Sequence, residues 1–160
     1  MYQKILIPLD GSELAECALS PVKNLKLVED GSGVEVTLLN VIIWDYNPHV
    51  EDAKDGASID IEAHRINIRK KLLSDSGKYL ADVKSRLGYE GIKVKTVSLD
   101  GIRPADTISD YAQKNGIDLL IIATHGYTGL KKMMLGSVAL ELIHNAHMPV
   151  LLIRPEACRV

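Results

Sequence analysis

Short, unbroken apolar runs alternate along this chain with stretches in which apolar positions recur every three or four residues, and this predicts alternating strands and helices. Residues 4–9 form the first run and stop at Pro8-Leu9-Asp10-Gly11, which reads as a buried strand closed by a tight turn. Leu14, Ala18, Leu19, Val22 and Leu25 then keep helical spacing, with Pro21 removing one backbone donor and bending that helix. The turn cluster Asp30-Gly31-Ser32-Gly33 leads into a second buried strand over residues 34–43. Residues 44–58 have little periodicity and predict a loop; His49, Glu51 and Asp52 fall within it without the spacing of a metal site.

From about residue 59 to 87 the period is helical, with Leu72, Leu73, Tyr79, Leu80, Val83 and Leu87 on one side. The basic residues from Arg65 to Lys71 are interspersed with acids and read as a solvated face. Gly88 and Gly91 end this helix, and residues 92–99 alternate as an edge strand should. Pro104 opens a helix whose buried stripe is Ile108, Tyr111 and Ala112 and which Asn115-Gly116 closes; Arg103, just before it, reads as a surface residue. An apolar run ending at Ala123, a helix over about 137–145 and a final strand at residues 150–153 complete the chain. Repeated βα alternation of this kind requires right-handed crossovers and a parallel sheet covered on both faces, an α/β doubly wound fold.

Composition narrows the class without naming a partner. With 160 residues the chain is one domain in size, 46% hydrophobic and 25% charged, as in ordinary globular proteins. A formal charge of −2 gives no reason to expect a nucleic acid or an anionic membrane. Cys17 and Cys158 build no zinc or redox motif and read as a small core residue and an exposed terminal thiol. Pro8 and Asp10 interrupt the first apolar residues, so no signal peptide is read, and no run reaches the ~18 apolar residues of a membrane span. A cytoplasmic, reduced protein is the expectation.

The candidate chemistry lies where the fourth strand ends. Ile122 and Ala123 run into Thr124-His125-Gly126-Tyr127-Thr128-Gly129, and Gly136-Ser137-Val138 then opens a helix. Glycines permit close backbone approach, and a helix N-terminus offers unpaired N–H groups to an anion, with the Ser137 hydroxyl as a further donor. A glycine turn that binds nothing is the alternative from the residues alone. Asp10 likewise has two readings: with Glu13 it has the spacing of a helix-capping pair, and at a strand end it can accept from a ribose or hold a metal through water. In a doubly wound sheet the first and fourth strands flank the topological switch point, so Asp10 and Ala123 are expected to converge on one crevice.

Ala123-x-x-Gly126, nine residues, then Gly136-Ser137 resembles the nucleotide loop of the ATP-binding universal stress protein family. The stretch 125–130, Gly136-Ser137-Val138, the strand Val150–Ile153 and residues 5–12 are similar to that family too. Ala123 stands where the motif has its first glycine. The resemblance implies a Rossmann-like five-stranded sheet in the order 3-2-1-4-5. It also implies an ATP site, with Mg or Mn, formed by Pro8, Leu9, Asp10, Val41, Ile122, Ala123, His125, Gly126, Gly129, Gly136, Ser137 and Val138, in which Val41 meets adenine through its backbone. On its residue type alone, Val41 reads as core.

A nucleotide-dependent switch in stress response or signalling is the function this implies. The alternatives are a slow ATP hydrolase of the adenine nucleotide alpha hydrolase type and a nucleotide-free dimerisation module. No catalytic residue is assigned: His125 is the nearest candidate base and also suits a structural hydrogen bond, while Lys131 and Lys132 read as solvent-facing. The apolar last strand, Val150–Ile153, without the lysines that usually blunt an edge, predicts a homodimer.

Overall fold

A computed structural model of the chain describes residues 2–24, 33–44, 61–87, 92–124 and 136–154. In chain order these are β1 (Lys4–Pro8), α1 (Glu13–Glu16), a 3-10 helix (Cys17–Asn24), β2 (Val34–Ile43), α2 (Ile61–Leu87), β3 (Ile92–Gly101), α3 (Pro104–Asn115), β4 (Leu119–Ala123), α4 (Ser137–Asn145) and β5 (Val150–Ile153). The strands form one parallel sheet in the order β3-β2-β1-β4-β5.

Alternation within each strand builds two apolar layers. Ile5, Ile7 and Leu9 of the β1 segment, with Val34, Val36 and Leu38 of β2, face Ala18, Val22 and the α2 residues Leu80, Val83 and Leu87. Leu6, Leu39, Leu120 and Ile122 point the other way, onto Ala105, Ile108 and Ala112 of α3 and Ala139 and Leu142 of α4. The central strands are covered on both faces, which is why their sequences are apolar without a break. Ile5, Leu6, Ile7, Leu120 and Ile121 are fully buried, each contributing about 1.5–3 kcal/mol by its removal from water.

At the amino ends Asp118 fixes the level of β4 against β1. Its carboxylate accepts the Gln3 N–H at 2.8 Å and the Lys4 N–H at 3.0 Å, while its own N–H donates to the Lys4 carbonyl at 2.9 Å. Ile5 therefore lies opposite Leu119 and Leu6 opposite Leu120, and the two strands end at similar heights on the far side of the sheet.

Three expectations need correction. The helix after β1 is α-helical only from Glu13 to Glu16 and continues as a 3-10 helix. Pro21 has no N–H to give Cys17 and disfavours an α conformation at Ser20, so the turn tightens instead of bending. Its cap is Ser12, whose Oγ accepts the Ala15 N–H at 3.1 Å, and not the pair Asp10 and Glu13. Cys17 is half-buried and disulfide-bonded, not a plain core thiol; Cys158 lies outside the described residues.

α3 follows its sequence signals closely. Pro104 occupies the first helical position, and Gly116 ends the helix in the left-handed region at φ 63°. The apolar stripe of α2 is its carboxyl half, where Ser76, Leu80, Val83 and Leu87 are buried.

Candidate functional site

A cavity of about 230 Å³ opens at the carboxyl ends of β1 and β4. Pro8, Leu9 and Asp10 come to it from β1, Leu39, Val41 and Ile43 from β2, Ile122 and Ala123 from β4, and Gly136, Ser137 and Val138 from the start of α4. Ala15 beside β1, Pro104 and Ile108 of α3 and Ala139 of α4 complete the lining. Nine of the residues expected at a nucleotide site thus line one crevice, with over a hundred positions between Asp10 and Gly136. His125, Gly126 and Gly129 lie outside the described residues, as do Lys131 and Lys132.

The crevice exists because β1 is shorter than β2. Pairing between them ends at Pro8 with Leu39, whereas β2 stays paired with β3 to Ile43 with Gly101. In a parallel pair alternate residues turn their peptide groups to the same neighbour. Glu35 donates to the Gln3 carbonyl and Leu39 accepts from the Leu9 N–H, so the odd-numbered residues of β2 face β1. Beyond Leu39 that side holds the peptide groups of Val41 and Ile43, and among the described residues no backbone hydrogen bond from the β1 segment reaches Val41. The Val41 side chain meanwhile packs with the α3 and α4 layer. The half-buried side chain of this valine thus belongs to that layer, while its backbone borders the cavity.

Asp10 begins the turn out of β1. Its Oδ1 accepts the Ser12 N–H at 2.9 Å, Gly11 takes φ 89°, and Ser12 caps α1. A side-chain oxygen two residues back is a local turn contact. It leaves Oδ2 without a partner among the described residues. Across the crevice α4 starts at Gly136, whose carbonyl accepts the Leu140 N–H at 2.9 Å, and among the described residues no side chain caps its first turn. Those N–H groups and the positive end of the dipole face the cavity lining.

Ala123 is the departure from the motif, and its backbone explains why it is tolerated. It pairs with Ile153 within the sheet, and no described non-glycine residue has positive φ. Glycine is not required by conformation at this position, so the alanine methyl costs only space.

The charged groups nearby are already engaged. Arg103 meets Glu141 of α4 at 3.1 Å and Asp106 at 3.2 Å, which fastens α3 to α4 beside the cavity. Arg86 holds Glu16 through two contacts, at 2.8 and 3.1 Å, and the Tyr79 hydroxyl donates to Glu16 at 3.3 Å. Burial, and then the Glu16 carboxylate, push the Tyr79 phenol up. Asp10 is the titratable side chain among the described lining residues.

Sequence reasoning missed a polar chain behind the crevice. Asn40 Nδ2 donates to the Leu9 carbonyl at 2.6 Å, Asn40 Oδ1 accepts from Ser76 Oγ at 2.7 Å, and Ser76 Oγ lies 2.7 Å from Ser98 Oγ. One signal was present: Asn40 continues the inward series Val34, Val36, Leu38, where a polar side chain requires a partner.

A doubly wound parallel sheet with a crevice at its switch point, bordered by strand backbone and a helix N-terminus, defines an α/β protein of the Rossmann-like class. Residues 1–154 match the model of the universal stress protein family, and the chain belongs to that family. Universal stress protein MJ0577 of Methanocaldococcus jannaschii is 33% identical, with 96% of each chain covered. Its solved structure superposes with a TM-score of 0.75 at 34% identity, covering 96% of both chains. A universal stress protein in complex with cAMP shares the fold at a TM-score of 0.60 and 16% identity, over 96% of this chain and 98% of the other. So does an Arabidopsis thaliana member with AMP bound, at 0.54 and 17%, over 95% and 91%.

Proposed function

We propose that the crevice binds an adenine nucleotide, ATP with Mg or Mn, and that the bound state switches a surface read by a partner in stress response or signalling. The carrying observation is the convergence on one cavity of three elements with groups left unpaired among the described residues: the Val41 backbone, the second oxygen of Asp10 and the first turn of α4. Their chemistry suits a base edge, a ribose hydroxyl and a phosphate respectively. The cAMP and AMP held by two members of this fold are consistent with that assignment. The cavity is small beside the ~300–1,000 Å³ of pockets that enclose a drug-sized ligand, so base and ribose sit inside and the phosphates run out over Gly136, Ser137 and Val138.

Among the described residues no group of three or more His, Cys, Asp or Glu could hold a metal. Asp10, the one carboxylate in the described lining, fits a cation carried by the phosphates.

A ligand at a hundredfold its Kd raises stability by roughly 2.7 kcal/mol, which a thermal shift detects readily. The expected result is a shift with ATP and magnesium that Gly136→Val removes while the circular dichroism spectrum is kept. No shift at millimolar ATP rejects this reading.

Turnover is slow in this account. Rapid phosphoryl transfer needs a positioned water and cationic groups in line with the γ-phosphate. The described lining supplies backbone N–H groups, Ser137 and Asp10, which favour ground state and transition state alike and yield affinity more than rate. Hydrolysis at the ~10 s⁻¹ median of ordinary enzymes, lost in His125→Ala with binding retained, establishes an enzyme instead.

A homodimer through Val150–Ile153 accompanies this function. The Leu120 and Thr124 N–H groups donate to the carbonyls of Pro149 and Ile153, so the peptide groups of Val150 and Leu152 point outward from the sheet. Pairing two such edges gives a closed two-fold assembly.

A further inference from the structure

We propose that Asn40 is a positioning residue that holds the crevice open by substituting for the Val41 amide. The inference rests on the nucleotide reading above for its consequence in binding, but not for its structural basis. In a parallel ladder that continued past Leu39, the Leu9 carbonyl would accept from the Val41 N–H. In this structure that carbonyl accepts from Asn40 Nδ2 at 2.6 Å instead. The side chain of one residue thus occupies the acceptor that the next residue's backbone would otherwise take. β1 is satisfied without pairing further, and the Val41 N–H is left facing the cavity.

Every link in this chain has a fixed direction. A carbonyl only accepts, so the carboxamide must present its NH₂ to Leu9 and its oxygen to Ser76. The Ser76 proton is thereby committed to Asn40, and Ser98 must donate to Ser76. Ser76 sits on α2 and is one of two buried polar residues among those described, Thr37 being the other. A half-buried amide that is held at both ends does not turn to a competing acceptor, because leaving either end unpaired is costly. Strand β3 and helix α2 therefore orient an amide on β2 that keeps the end of β1 away from Val41.

Amide hydrogen exchange and ATP titration together decide the matter. In the unliganded wild-type protein the Val41 amide is expected to exchange rapidly. In Asn40→Leu, which has no donor, it becomes protected as the Leu9 carbonyl turns to it. ATP affinity then falls by about tenfold, the loss of roughly one hydrogen bond, while the affinity for inorganic tripolyphosphate, which has no base, stays the same. Asn40→His, whose Nδ1 stands as many bonds from the main chain as Asn Nδ2, restores both the rapid exchange and the affinity. Ser76→Ala, which keeps the amide but frees its orientation, shows the same changes at smaller size and serves if Asn40→Leu does not fold.

Rapid exchange of Val41 in Asn40→Leu overturns the proposal. So does an equal loss of ATP and tripolyphosphate affinity, the sign of general damage. Should the wild-type protein bind no ATP, the nucleotide reading fails while the exchange measurement still decides the role of Asn40.

Discussion

The two edges of the sheet are built on opposite plans. On the β3 edge, Lys93 and Lys95 alternate with half-buried Ile92 and Val94, and both lysines reach back to Glu35 on β2, at 3.4 and 2.6 Å. Further along the same strand Arg69 of α2 holds Asp100 at 2.9 Å. On the β5 edge no charged residue occurs, and Leu151 and Leu152 are 40% and 38% exposed. Both strands have one paired side, so both present unmatched peptide groups to whatever approaches. Charge blunts the first against such pairing, and the second lacks that protection. Such an edge is where the second copy of the chain proposed above would pair.

The largest expected effect comes from breaking the open edge. Leu152→Pro removes an outward N–H while sparing the bonds from β5 to β4. Light scattering at micromolar concentration should then show a monomer in place of a dimer. A monomeric wild-type protein, or a dimer indifferent to the proline, removes the basis for the comparison.

Next in size is the reverse experiment. Lys93→Val together with Lys95→Val turns the blunted edge into a second apolar one, and concentration-dependent association beyond a dimer should follow in sedimentation velocity. If the double variant stays as soluble and as small as the parent, the lysines do not guard that edge.

A third test concerns where the β3 edge is anchored. A methyl group placed on Gly101 would collide with the Thr107 side chain, which is itself tied to the Arg103 carbonyl. Gly101→Ala should therefore lower stability by about 1–3 kcal/mol, the usual cost of overpacking, measured by urea denaturation. A smaller loss when Gly101→Ala is made in a Thr107→Ala background would trace the cost to that one contact.

The smallest effect separates the edges by pH. The hydrogen bond from Lys95 holds the Glu35 carboxyl below its ordinary range, and that from Arg69 does the same for Asp100. A lowered folded-state pKa contributes stability that is present above the unfolded values of about 4.3 and 3.9 and is lost as pH falls through the folded ones. The Glu35 pairs face solvent, so their share is ~0.5 kcal/mol and is screened by salt. Denaturation at pH 3 and pH 6 should show a difference that shrinks in Glu35→Gln, while dimerisation through β5 responds little. An unchanged pH dependence in Glu35→Gln counts against this assignment.

What the sequence disclosed follows from the range of each interaction. β1 and β4 were legible because burial on both faces leaves an uninterrupted apolar run, and α3 because proline and glycine mark its two ends locally. The 3-10 helix was not, since Leu14, Ala18 and Val22 keep the four-residue spacing of an α-helix and only Pro21 hinted at the tighter turn. At the site, glycine spacing and strand ends pointed to the crevice. The distinction between Asp10 and Ser12 as cap was lost because both residue types suit that position. Asn40, Ser76 and Ser98 stand 36 and 22 residues apart, and nothing in the local pattern of one names the others.

The Asp118 clamp at the start of β1 also has a bearing on timing. Residue Ile5 meets Leu119 across 114 positions of chain, and the clamp cannot form before those residues exist. At the 5–20 residues per second of synthesis, the apolar residues of β1 wait on the order of ten seconds with one side unmatched. The crevice, which needs β4 beside β1 and then the start of α4, forms only after more than a hundred further residues have followed β1. The exposed interval before that is when a chaperone has most to hold.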